Sequence, residues 1–141
     1  MSWNPWRWVG EHYPHIVVSC EHRLPKRVAG IWRDNTIWLC STLNQAERRS
    51  VLTHELQHLQ RGLPSPQYRD REERIVDELA ARRLIAIADL ARALRSTRDP
   101  DALAEELWVD RHTVEVRLSN LNPDETAELE REFGDEWLWI P

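Results

Sequence analysis

The chain has 141 residues, two cysteines and a net charge of −5. That is the size of one domain, large enough to bury a core without disulfide staples. Two cysteines are too few for a secreted disulfide framework, and no apolar run approaches the ~18 residues a membrane span needs. The opening Met1–Trp8 also lacks the continuous apolar stretch of a signal peptide. Together these features predict a cytoplasmic protein with reduced cysteines, Cys20 and Cys40 being small buried side chains on strands.

Charge is unevenly placed. Residues 1–95 carry 15 Lys/Arg against 11 Asp/Glu, whereas residues 96–141 carry 4 against 13. A C-terminal part this acidic is repelled by phosphate backbones, so no direct nucleic-acid binding is expected.

Residues 1–14 hold three tryptophans and two prolines and read as an arm packed on the body. His15–Cys20 is short and β-branched and reads as a strand. Val28–Arg33 and Thr36–Ser41 flank Asp34-Asn35, residues that tolerate the left-handed backbone of a tight turn, and so predict a hairpin. The expectation is a small three-stranded antiparallel sheet.

Helices follow. Asn44 with Glu47 three positions on has the form of a capping box, and Gly62 then Pro64 end the segment, predicting a helix over about 45–61. After the proline-bearing loop 63–69, a second helix is predicted from about Asp70 to Ile85, continuing or restarting through Leu94. Residues 96–100 form the linker candidate. Two or three short helices are then expected, over Asp101–Leu107, Arg111–Leu121 and Asp124–Phe133.

The first long helix carries His54-Glu55-Leu56-Gln57-His58. Histidines four apart share one helix face, one turn apart, so both imidazoles can meet a single zinc ion. Glu55 projects beside such an ion rather than onto it and suits a general base that later returns its proton as an acid. The competing reading is two solvent-facing histidines on an amphipathic helix. Val51, Leu52, Leu56 and Leu59 favour a half-buried helix instead.

Catalytic zinc takes three protein ligands, often including a carboxylate. With Val76 at zero and 100° per residue, Leu79, Ala80, Leu84 and Ile87 define an apolar face on the second helix. Glu73 falls at about 60°, Asp77 at about 100° and Glu78 at about 200° on the same wheel. Glu73 is therefore the expected third ligand. Asp77 is expected to accept a hydrogen bond from a ligand histidine, and Glu78 is the fallback. The alternative is that these acids only pair with Arg74, Arg82 and Arg83 on a solvated face.

Thr53-His54-Glu55-Leu56-Gln57-His58-Leu59, with Glu73, Asp77, Ala80-Ala81 and Leu84-Ile85 downstream, resembles the ImmA/IrrE family of metallopeptidases. The resemblance covers about residues 28–94. It departs from that family's pattern at Val76-Asp77, where alanine usually precedes the second acid or amide, and at Ala86-Ile87, where a proline is common. It implies cytoplasmic peptidases of phages, mobile elements and bacteria that cleave a helix-turn-helix repressor. It also implies His54, His58 and Glu73 as ligands of one Zn²⁺ and Glu55 as the catalytic glutamate.

The combined expectation is an α+β fold. A zinc metallopeptidase domain spans 1–95, and an acidic helical appendage with a helix-turn-helix cadence spans 96–141. The expected function is a zinc endopeptidase acting on a protein substrate; the alternative is a non-proteolytic anti-repressor that keeps the fold. Strand Thr36–Ser41, directly before the zinc helix, is expected to form the cleft edge and to receive an extended peptide. Tyr68 and His112 are the candidates for oxyanion stabilisation. Trp32, Trp38 and Trp108 read as core, and the terminal pairs Trp6/Trp8 and Trp137/Trp139 as packed on each other or on the body; the alternative is that Trp137-Leu138-Trp139-Ile140 anchors a partner or second subunit.

Overall fold

A computed structural model describes residues 3–134. The fold is α+β: a three-stranded sheet with seven α-helices among the described residues. The pair Trp137/Trp139 and the alternative anchor at Trp137–Ile140 lie outside them.

The amino-terminal arm is helical in part. Residues Pro5–His12 form helix α1, because Asn4 caps the Arg7 amide and Pro5 occupies the first turn, where its missing N–H costs nothing. The segment is tied down. Trp3 donates its indole N–H to Thr53 Oγ1 at 2.8 Å, and the buried Arg49 donates to the Trp3 carbonyl.

Strands β1 (Val17–Ser19), β2 (Gly30–Arg33) and β3 (Thr36–Leu39) are ordered β1-β3-β2. The β2–β3 hairpin turns through Asp34, whose φ of 54° is the left-handed conformation expected of that pair. The sheet as a whole is mixed rather than antiparallel, since β1 runs parallel to β3, with Val17 opposite Thr36. The ten residues between β1 and β2 carry the chain across, so β1 joins the far side of β3 instead of extending the hairpin. A consequence is that β3 lies in the middle. The expected cleft edge at Thr36–Ser41 is thus corrected: β3 has neighbours on both sides, and the sheet's edges are β1 and β2.

Helix α2 spans Gln45–Arg61. The Asn44 side chain accepts from the Glu47 amide at 2.8 Å, and Glu47 accepts from the Asn44 amide at 2.9 Å, so both orphan donors are satisfied. Gly62, at φ 86°, ends the helix while its N–H still reaches the His58 carbonyl. Leu52 and Leu56 are fully buried against Val9, Ile37 and Leu39, each burial worth about 1.5–3 kcal/mol. This apolar stripe pins the helix to the sheet and leaves His54, Glu55 and His58 half-buried on another face.

After a 3-10 turn at Pro66–Tyr68, helix α3 spans Arg69–Leu84, and α4 restarts over Ile87–Ser96. Helices α5 (Pro100–Leu107), α6 (Arg111–Ser119) and α7 (Pro123–Phe133) follow, capped by Asp99, Asp110 and Asn122. A second core joins Leu84, Ile85, Leu90 and Leu94 to Leu103, Val114 and Leu129, so it draws on both sides of the predicted linker. It also encloses an ion pair. Arg117 donates to both carboxylate oxygens of Glu125 and to the Ile85 carbonyl, and the guanidinium holds the Glu125 carboxyl down at about 2. Trp108 is not core. It caps α5 in the left-handed conformation, φ 58°, which turns its ring outward to 54% exposure.

Candidate metal centre

Helices α2 and α3 pack side by side, and their contact brings the expected ligands together. His54 Nε2 and His58 Nε2 are 3.2 Å apart. Glu73 Oε2 lies 3.1 Å from the first and 3.0 Å from the second. Among the described residues, these three form the group able to hold a metal ion. Tetrahedral zinc with ligands at ~2.0–2.1 Å places ligand atoms about 3.3 Å apart. Three mutual separations of 3.0–3.2 Å are close to that figure, so the donor set fits the ion.

The orientation of His54 supports the same fit. Its Nδ1 lies 2.9 Å from Asp77 Oδ1, so the carboxylate accepts that N–H and leaves the Nε2 lone pair directed at His58 and Glu73. Burial alone would lower the His54 pKa. The Asp77 hydrogen bond and the charges of Glu73 and Glu55 outweigh it, and the net shift is upward. Asp77 shows the mirror case: burial raises its pKa, but hydrogen bonds from His54 and His112 win and lower it. Replacing Asp77 by asparagine is expected to weaken zinc binding by about 10–100-fold. Competition against a chelating dye measures this directly.

Glu55 lies outside the three-donor group yet lines the same clefts as its members. Burial raises its carboxyl above the ordinary glutamate value, partly opposed by the neighbouring histidines. It lines two clefts that meet at the group. One, of about 400 Å³, is bounded by Arg27, Gly30, His54, Asp77, Asp110 and His112. The other, of about 270 Å³, is bounded by Trp32, His58, Leu63, Pro64, Arg69 and Glu73. Edge strand β2 links them, its alternate residues Gly30 and Trp32 each facing one cleft.

Of the remaining sequence-predicted residues, Glu78 is turned away and pairs with Arg82 at 3.6 Å. Tyr68 is half-exposed at the end of its 3-10 turn and lines neither cleft. His112, by contrast, lines the larger cleft, its Nε2 3.1 Å from Asp77 Oδ2. One carboxylate thus bridges a ligand histidine and the start of α6.

Gly30 was not singled out from sequence. A methyl group at its Cα would sit 2.7 Å from Val51 Cγ1 and 3.3 Å from Glu55 Oε1. The missing side chain is what lets β2 approach helix α2. A glycine at the start of a β-branched, aromatic strand is itself the signal for such close approach. Gly30→Ala is expected to cost about 1–3 kcal/mol by overpacking, read as a lowered midpoint in urea unfolding.

No family model, curated protein or solved structure matches this chain. No helix among the described residues is long and apolar enough to cross a membrane.

Proposed function

We propose that the chain is a zinc-dependent endopeptidase of ImmA/IrrE type acting on a protein substrate. The observation that carries this reading is the convergence of His54, His58 and Glu73 at 3.0–3.2 Å, with Glu55 beside them in an open cleft. A site built for binding alone has no use for a half-buried carboxylate next to the donor group.

His54, His58 and Glu73 would hold the ion. When bound, zinc supplies a Lewis acid that polarises a carbonyl and lowers the pKa of water. Glu55 takes a proton from the attacking water and passes it to the leaving amine; its raised pKa suits it to both halves of that exchange. Asp77 fixes the His54 tautomer. The β2 edge, bordering both clefts, can pair with an extended peptide and lay its backbone across the group.

The substrate class follows from the resemblance: a helix-turn-helix repressor of phage or mobile-element genes. A cytoplasmic setting belongs to the same reading and accords with the free Cys20 and Cys40. The test is to incubate the zinc-loaded chain with repressors encoded beside its gene and analyse the products by mass spectrometry. Discrete fragments support the proposal. Loss of repressor function without fragments favours the anti-repressor alternative.

A further inference from the structure

Leu63 is 82% exposed, more than any other large apolar side chain among the described residues. A scattered exposed leucine needs no explanation. This one does, because with Trp32 and Pro64 it walls the smaller cleft, whose remaining lining is Arg69 and the site residues Glu55, His58 and Glu73. The two clefts differ in chemistry. Around the group, the larger one mixes Arg27, Asp77, Asp110 and His112 with smaller apolar residues such as Val51 and Val116, whereas the smaller one sets Trp32, Leu63 and Pro64 beside a single cation, Arg69. At about 270 Å³ it falls below the range of whole-ligand pockets, roughly 300–1,000 Å³, and is the size for a single side chain.

We propose that Trp32, Leu63 and Pro64 form a subsite that selects a large apolar side chain immediately beside the scissile bond. The inference rests on the endopeptidase reading, and it deepens that reading by naming what the substrate presents. Trp32 is placed there by strand alternation, two residues after Gly30, so a peptide paired with β2 delivers a side chain to this cleft as its backbone crosses the metal group. Leu63 follows Gly62, whose left-handed backbone ends α2 and turns the chain outward, leaving the leucine exposed beside Glu73. Burial by an apolar side chain removes exposed surface from Leu63 and Trp32, and a charged side chain would lose its hydration with no such return.

The probe is a set of peptide hydroxamates with an isobutyl, benzyl, carboxymethyl, aminobutyl or no side chain on either flank of the metal-binding group. Binding to the zinc-loaded full chain is read by calorimetry. On one flank, the isobutyl and benzyl compounds are expected to bind at least about tenfold tighter than the others. Leu63→Asp, an exposed substitution that should leave zinc content unchanged, is expected to abolish that difference. Equal binding across the set, a preference for a charged side chain, or a preference that survives Leu63→Asp would overturn the subsite. Binding is scored without turnover, which separates the two claims. An apolar preference with no peptide ever hydrolysed would retire the endopeptidase reading and keep the subsite as a ligand pocket. Hydrolysis indifferent to side chain would do the reverse.

Discussion

Glu55→Gln is expected to reduce peptide hydrolysis by about 10²–10⁴-fold while zinc content stays at the wild-type level. The amide nearly matches the carboxylate in shape, so Gly30, whose Cα faces this side chain, keeps its place. It cannot accept the proton that the reaction must move. Because Glu55 lies outside the His54–His58–Glu73 group, the loss should appear in turnover and not in metal binding. Paired measurements of product formation and metal stoichiometry check this. A Glu55→Gln protein that still cleaves at the wild-type rate would remove the general base from the mechanism and reopen the choice of reaction.

The second large effect concerns the ligands. Single alanine substitutions of His54, His58 and Glu73 are each expected to lower zinc occupancy sharply, whereas Glu78→Ala should retain it, since Glu78 pairs with Arg82 away from the group. The readout also includes stability. Zinc at a hundredfold excess over its dissociation constant adds about 2.7 kcal/mol to a protein that binds it only when folded. Added zinc should therefore raise the melting temperature of wild type and Glu78→Ala but not of the ligand variants. Retention of one equivalent of zinc by Glu73→Ala would transfer the third position to another acid, with Asp77 the nearest.

The parts of the fold that depend on near neighbours were legible from residues alone. The Asn44/Glu47 capping box and Gly62 set the limits of α2, and Asp34 marked the hairpin, because caps and turns are short-range hydrogen-bonding and steric events. Helical phase placed Glu73 and Asp77 on the side of α3 that meets His54 and His58, and Glu78 away from it. Phase could not show that Asp77 also reaches His112, since that bond joins residues 35 apart through the packing of α3 on α6.

Strand order was the main misreading. Adjacent strands were expected to pair in sequence, yet the ten residues after β1 lead into β2, and β1 itself pairs in parallel with β3. Pairing between distant segments is decided by which apolar faces can be buried together, and β1 is only three residues long. Trp108 erred for a different reason. An aromatic residue at a helix end is assigned to the core by composition, but a left-handed cap points its ring to solvent.

The HExxH helix, its caps and the identity of the chemistry-bearing side chains are thus written in local sequence, where spacing on one helix settles which atoms share a face. Convergence of Glu73 on the two histidines, the approach of Gly30 to Glu55, the edge position of β2 and the apolar cleft around Leu63 come from the packing of separate segments. Those relations rest on contacts between residues far apart in the chain, which no local pattern encodes.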